Sequence, residues 1–169
     1  MKIPVVSIVA KSGTGKTTLL EKLIAEMKCR GYKIGVIKHD AHRFDIDHEG
    51  KDSWRLTQAG ADTMVISSSE KLAMVKKTSP QTELSLEETV ESYFQDVDLV
   101  LTEGFKKSAM PKIEVHRHER SNELLCRTEN RDETLIAVAS DSSLDVDVPL
   151  YGINDASGLC NLIVKRYLS

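Results

Sequence analysis

Ile8-Val9-Ala10-Lys11-Ser12-Gly13-Thr14-Gly15-Lys16-Thr17-Thr18-Leu19-Leu20 is the stretch that decides how this chain is read. An apolar strand runs into a glycine turn, and the turn opens an amphipathic helix. The phosphate-loop pattern G-x-x-x-x-G-K-[ST] is met at Gly15, Lys16 and Thr17, with Ala10 where the first glycine would stand. Glycines at 13 and 15 let the backbone turn several N–H groups inward, and the helix start adds unpaired N–H groups with partial positive charge. Ser12, Gly13, Thr14, Gly15, Lys16, Thr17 and Thr18 are therefore the candidate phosphate-binding residues. Lys16 supplies a mobile charge for the outer phosphates, and the Thr17 hydroxyl is placed to coordinate Mg²⁺. A negative φ at Ala10 would accommodate its methyl group. The dinucleotide fingerprint fails, because counting from Gly13 its third glycine falls on Thr18.

Outward from this segment the chain alternates apolar runs with helical periodicity, as an α/β protein does. Strands are expected at Ile3–Ala10, Lys33–Lys38, Asp98–Thr102, Ile113–Val115 and, last, Leu135–Ala139. Thr63–Ser67 and Lys71–Val75 flank Ser68-Ser69-Glu70 as a hairpin. Helices are expected over Lys16–Arg30, stopped by Gly31, over Asp52–Ala59, stopped by Gly60, from a Ser85/Glu88 capping box to Phe94, and after an Asp155 N-cap. The expected fold is a P-loop NTPase-like, mostly parallel sheet flanked by helices, with a β-hairpin extension, in one domain spanning residues 1–169.

Composition bounds the function. The 169 residues are 40% hydrophobic, 29% charged and 5% aromatic, with 23 basic against 26 acidic side chains and a net charge of −3. That balance disfavours disorder and a strongly basic nucleic-acid binder. No run approaches the roughly 18 apolar residues of a membrane helix, and Ile3–Ala10 leads into the loop as a strand instead of a signal peptide. Cys29, Cys126 and Cys160 form no C-x-x-C pair, which fits a reducing cytoplasm. Cys160 shares helical spacing with Ala156, Leu159 and Ile163 and reads as core.

A nucleoside-triphosphate loop needs an acid at the end of a neighbouring buried strand. Leu99-Val100-Leu101-Thr102-Glu103-Gly104 places Glu103 there, so Lys16 and Glu103 are the candidate catalytic residues. Thr17, Glu103 and Asp40 are the candidate metal ligands, while Asp98 reads as structural. The polar run Lys38–Ser53 follows strand two. A calcium loop begun at Asp45 fails because its twelfth position is Leu56. A solvated charged loop, a transition-metal site of His39, His42 and His48, and a substrate or partner loop all remain open, and His116 and His118 read as exposed.

The ordered combination resembles the molybdopterin-guanine dinucleotide biosynthesis adapter protein B family. It is carried by the phosphate loop, Lys38-His39, His42, Phe44, Asp47, Gly50-Lys51-Asp52-Ser53, Arg55, Ala59-Gly60-Ala61, Asp98-Leu99-Val100-Leu101, Glu103-Gly104-Phe105-Lys106 and Pro111-Lys112-Ile113-Glu114-Val115-His116-Arg117. It spans Ile3 to Arg117 and departs at Ala10 and Thr102. The resemblance implies GTP and Mg²⁺ binding with at most slow hydrolysis, a homodimer, and assistance to the molybdenum cofactor guanylyltransferase, which attaches GMP to molybdopterin. It also implies that Lys38, His39, Asp47, Lys51 and Asp52 belong to the nucleotide- or partner-facing surface. Guanine specificity does not follow from the residues, since no Asn-Lys-x-Asp run is present and Asn154-Asp155 offers only a pair.

Two other functions share this fold. A small-molecule kinase would use Arg43, Arg55 or Lys106 on the transferred phosphoryl group, and a metal-delivery GTPase would use the histidine loop. Ile113–Arg117 is further expected to be an exposed strand that adds to another subunit's sheet edge.

Overall fold

Val5-Val6-Ser7-Ile8-Val9-Ala10 is buried along its whole length and forms β1 (Val5–Ala10). Its alternate residues feed opposite faces, as the two-residue period of a strand requires. Val6, Ile8 and Ala10 enter one core cluster, and Val5 and Val9 enter two clusters on the other side. The computed structural model describes residues 2–39, 46–79 and 83–169. Residue contacts divide the chain into two compact units, Met1–His39 with Leu86–Ser169, and Asp40–Ser85.

The first unit is built on six strands: β1, β2 (Ile34–Lys38), β5 (Leu99–Glu103), β6 (Lys112–His116), β7 (Leu135–Ser140) and β8 (Leu150–Gly152). Their spatial order is β2-β5-β1-β6-β7-β8, and every neighbouring pair is parallel. The chain leaves β1 toward β2 and β5 on one side, then crosses to β6, β7 and β8 on the other. The order thus reverses at β1, and the carboxyl end of that strand is the topological switch point where α/β sheets bind ligands.

Helix α1 (Lys16–Cys29) buries Leu19, Leu20, Leu23 and Met27 against this sheet. It ends in a Schellman motif: Gly31 N–H donates to the Lys28 carbonyl at 3.0 Å and Tyr32 N–H to the Met27 carbonyl at 3.2 Å. Helix α4 (Ala156–Ile163) lies beside α1, capped by Asp155, whose carboxylate accepts from Gly158 N–H at 2.9 Å. Cys160 is fully buried there with its sulfur 3.2 Å from that of Met27, as its spacing implied. Helix α3 (Leu86–Tyr93) covers the opposite face through Leu86 and Val90.

Three expectations fail in this unit. Leu135–Ser140 is followed by one more strand, β8, so it is not the last. The β6 segment is an interior strand, paired with β1 and β7 and buried at all five positions, and not an exposed edge for another subunit. His116, at its end, is only 3% exposed, whereas His118 is exposed as expected. The polar side chains of this strand are satisfied internally. The Lys112 ammonium pairs with Asp132, the Glu114 carboxylate accepts from the N–H groups of Leu125 and Cys126, and the His116 ring bonds Ser140 and Ser121.

The second unit carries α2 (Asp52–Gln58) and the antiparallel pair β3 (Thr63–Ser67) and β4 (Leu72–Lys76). The hairpin is present with Ser67 opposite Leu72, and Lys71 N–H closes its turn on the Ser68 hydroxyl at 3.1 Å.

Candidate functional site

The loop between β1 and α1 takes the shape its glycines allow. Gly13 has φ 75° and Gly15 φ 96°, left-handed values that side-chain-bearing residues rarely adopt. Gly15 occupies the position before α1, and its carbonyl accepts the N–H of Leu19 at 3.0 Å. Ala10 is the last residue of β1 and is not among the residues of positive φ; its methyl is buried in the core, so no glycine is needed there. Thr14 is buried, and its hydroxyl donates to the Lys11 carbonyl at 2.9 Å, which closes the loop on itself. Ser12, Gly13, Thr17 and Thr18 are exposed, and Gly15 and Lys16 are half-buried.

Parallel pairing of β1 with β5 sets Ile8 opposite Glu103. This brings the Thr17 hydroxyl to within 3.1 Å of Glu103 Oε2, joining two side chains separated by 86 positions. Both offer hard oxygen donors, the kind Mg²⁺ takes alongside phosphate and water. The donor set fits the metal that a phosphate loop of this type uses, with Thr17 and Glu103 as the residues that would hold it. Thr102, the departure noted on β5, donates to the Ser7 hydroxyl at 2.9 Å on its register partner, so the buried hydroxyl is satisfied.

The end of β2 meets the same edge. Lys38 is the register partner of Glu103, and His39 N–H donates to the Glu103 carbonyl at 3.0 Å. The His39 ring lies against Phe105, centroids 4.8 Å apart and tilted by 43°. Phe105 itself has φ 55°, a left-handed value for a bulky residue, directly after Gly104 and two positions from Glu103. Such strain tends to gather where a site constrains the backbone. Asp40 and His42 lie outside the described residues, as does Arg43.

Asp47, Lys51 and Asp52 belong to the second unit. The Asp47 carboxylate is held below the ordinary range first by a hydrogen bond from Ser53 and then by His48 N–H. Lys51 is exposed immediately before α2, and exposed Asp52 opens that helix, favourably placed for its dipole, 3.5 Å from Arg55. Lys51, Asp52, Ser53, Leu56, Met64 and Ile66 line an open concavity of about 580 Å³. Among the described residues, no group of three or more His, Cys, Asp or Glu side chains is arranged to hold a metal ion.

Sequence reasoning missed one side of the loop. The turn after β6 lies against it at three points. Arg117 Nε donates to the Thr14 carbonyl at 3.0 Å, Lys11 donates to the Ser121 hydroxyl, and the Arg120 guanidinium packs over Gly13. Arg117 also reaches Asp141 at 3.6 Å, and Asp141 accepts from His118 N–H at 3.0 Å. Beneath the turn, His116 Nε2 donates to the Ser121 carbonyl at 2.8 Å, which fixes Nδ1 as acceptor from Ser140 in the neutral ring. Arg117 lies just past a strand's carboxyl end, a position that points to the ligand edge. Only the adjacency of β6 to β1 shows which loop it meets.

A parallel sheet whose first strand ends in a glycine loop, followed by Lys-Thr at a helix start and an acid on the adjacent strand, is the architecture of P-loop NTPase-like α/β proteins. Residues 5–141 match the family described as molybdopterin guanine dinucleotide synthesis protein B. The chain is 41% identical to the molybdopterin-guanine dinucleotide biosynthesis adapter protein of Escherichia coli K12, over 96% of this chain and 93% of that one. Against the adapter protein of the same name from Haemophilus influenzae Rd it is 39% identical, over 96% and 88%. Its fold superposes on a crystal structure of molybdopterin-guanine biosynthesis protein B with a TM-score of 0.78 at 28% identity, covering 98% and 99% of the two chains. On Bacillus subtilis MobB the TM-score is 0.73 at 22% identity, covering 98% of each. The chain belongs to the molybdopterin guanine dinucleotide synthesis protein B family.

Proposed function

We propose that this chain binds GTP with Mg²⁺ and acts as the adapter for the guanylyltransferase that attaches GMP to molybdopterin. The observation that carries the nucleotide reading is the meeting of Thr17 and Glu103 at 3.1 Å beside a left-handed glycine loop. In this reading, loop N–H groups and the α1 terminus hold the phosphates while Lys16 neutralises the outer charge. Thr17 and Glu103 would hold the Mg²⁺, which when bound supplies charge neutralisation across the phosphates. Asp40 is proposed as an outer partner of that metal, and Lys38 and His39 as the rim of the nucleotide site beside Glu103. Family relatives named as biosynthesis adapters support the cofactor role.

Binding is the working function, and any GTP hydrolysis is slow. The whole chain acts as one nucleotide-binding domain in the cytoplasm, and no described helix is long and apolar enough to cross a membrane. The homodimer and the guanylyltransferase are its proposed partners. Among the described residues the short β3–β4 sheet has no further strand on its edges, and it exposes Val65, Ile66 and Leu72, a surface suited to a second copy. Asp47, Lys51 and Asp52 are proposed to face the nucleotide or the guanylyltransferase.

Calorimetric titration with GTP, ATP and GDP, each with and without Mg²⁺, tests the nucleotide reading. Co-sedimentation with purified guanylyltransferase tests the adapter reading, and light scattering at micromolar concentration tests the dimer. Absence of Mg²⁺-dependent GTP binding together with absence of complex formation overturns the assignment.

A further inference from the structure

The turn after β6 brings two arginines to the phosphate loop, and they are placed differently. Arg117 is committed to the protein: Nε donates to the Thr14 carbonyl at 3.0 Å, and Nη1 lies 3.6 Å from Asp141. Its Nη2 is 3.6 Å from where a Cβ on Gly15 would be. This side chain holds the loop's shape from outside. Arg120 is freer. Its side chain is 55% exposed, and its ion partner is the adjacent Glu119, 3.8 Å away and itself 69% exposed. Its guanidinium carbon nevertheless lies 3.7 Å, and Nη1 4.0 Å, from where a Cβ on Gly13 would be. The Arg120 head group thus lies within van der Waals contact distance of that position on the loop.

Position follows from the anchoring below. His116 is 3% exposed, bridges Ser140 and the Ser121 carbonyl, and so ties the turn to the ends of β6 and β7. Lys11 bonds to the Ser121 hydroxyl from the loop side. The segment carrying Arg120 is thus fixed at both ends while its guanidinium stays solvent-accessible over the loop's outer lip. A planar fork with five N–H donors in that place is suited to a phosphoryl group projecting past the loop.

We infer that Arg120 is a phosphate-contacting residue that engages the terminal phosphoryl group of a bound nucleoside triphosphate, with Arg117 as the positioning residue of the loop. The inference rests on the nucleotide reading above and adds to it a cation supplied by the chain itself, which distinguishes triphosphate from diphosphate. Inner phosphates are held by the loop N–H groups and by the start of α1, so a diphosphate does not need Arg120.

The test is calorimetry with GTP and GDP in Mg²⁺ on the full chain and on the variants Arg120→Ala, Arg120→Lys, Arg117→Ala and Lys16→Ala, each checked by thermal melting. Arg120→Ala is expected to weaken GTP by about tenfold to a hundredfold, the loss of charge-assisted hydrogen bonds, and to change GDP by less than about threefold. Arg120→Lys, which keeps the charge and loses the fork, falls between. Arg117→Ala weakens GTP and GDP alike, the pattern of a distorted loop. Equal effects of Arg120→Ala on the two nucleotides, or none, while Lys16→Ala impairs both, overturn the role of Arg120 and leave the phosphate site standing. Absence of GTP binding by the wild-type chain, or wild-type affinity in Lys16→Ala, overturns the phosphate site and this inference with it.

Discussion

Lys112 offers a test of how this fold hides charge. Its side chain is 1% exposed at the start of β6, on the end of that strand away from the phosphate loop. The ammonium lies 3.0 Å from Asp132 Oδ2 and donates to the Thr134 hydroxyl at 2.7 Å and to the Ser108 carbonyl. All three of its N–H donors are used. Replacement by methionine keeps most of the buried stem but leaves the Asp132 carboxylate without its cation. Breaking a fully buried pair from one side costs about 3–5 kcal/mol. Asp132 is 25% exposed, so water recovers part of that, and the expected loss is roughly 2–4 kcal/mol. For a domain of this size the loss corresponds to a fall in Tm of about 5–12 °C.

Urea melts followed by circular dichroism measure it, with an unchanged m-value confirming that the unfolded states compare. The double variant Lys112→Met with Asp132→Asn should lose less than the sum of the single variants, because the orphaned charge is gone. The pH dependence has a definite sign. Burial pushes the Asp132 carboxyl up, but hydrogen bonds from Thr134 and Lys112 outweigh it and hold the group below its ordinary value. A carboxyl depressed in the folded state stabilises above its unfolded value, near 4, and that stabilisation is lost as pH falls through the folded value. The gap between wild type and Lys112→Met should therefore be full at pH 6 and shrink below pH 4. A Tm within about 2 °C of wild type at neutral pH, or a gap that widens on acidification, refutes the reasoning.

Thr17→Val should remove about tenfold or more of the Mg²⁺-dependent gain in GTP affinity, and Glu103→Gln should act non-additively with it; calorimetry with and without Mg²⁺ decides, and additive losses count against a shared cation. Gly35 in β2 faces Phe94 so closely that a Cβ there would lie 2.7 Å from Cε1 and nearer still to Cδ1. Gly35→Ala is expected to cost about 1–3 kcal/mol through overpacking, read by chemical denaturation, and a neutral result would show that the ring can retreat. Burial, with Glu114 next, pushes the Cys126 thiol up to about 12, burial also raises Cys160, and Cys29 is exposed. At pH 8 a chromogenic disulfide reagent should titrate one thiol rapidly in the native protein and three after denaturation; two fast thiols would contradict the burial.

Where the sequence misleads, it does so for one recurring reason. Lys112, Glu114 and His116 alternate with Ile113 and Val115, the pattern of a half-exposed strand, yet all five are buried. Each polar group in that alternation has a partner outside the strand: Asp132, the Leu125–Cys126 backbone, and Ser140 with Ser121. Periodicity reports polarity but not whether a partner waits on the other side. Thr102 is the same case on a smaller scale, its hydroxyl matched by Ser7 across the β1–β5 register. The short β8, of three residues, carries too little apolar pattern to be seen before its pairing with β7.

The shape of the glycine loop between β1 and α1 was legible in the sequence, because every requirement of that element is local. A strand, two glycines that adopt positive φ, a lysine, a threonine and a helix start fall within one short contiguous run, and the backbone preferences of those residues suffice to shape it. Glu103 was legible too, since the end of a buried parallel strand is a sequence position before it is a place. Which remote side chains close around that loop follows from the sheet order alone. The crossing of the chain from β5 to β6 places β6 beside β1, and this alone carries Arg117 and Arg120 to Thr14 and Gly13. Sheet order is set by non-local packing of strands and helices, which no window of sequence contains.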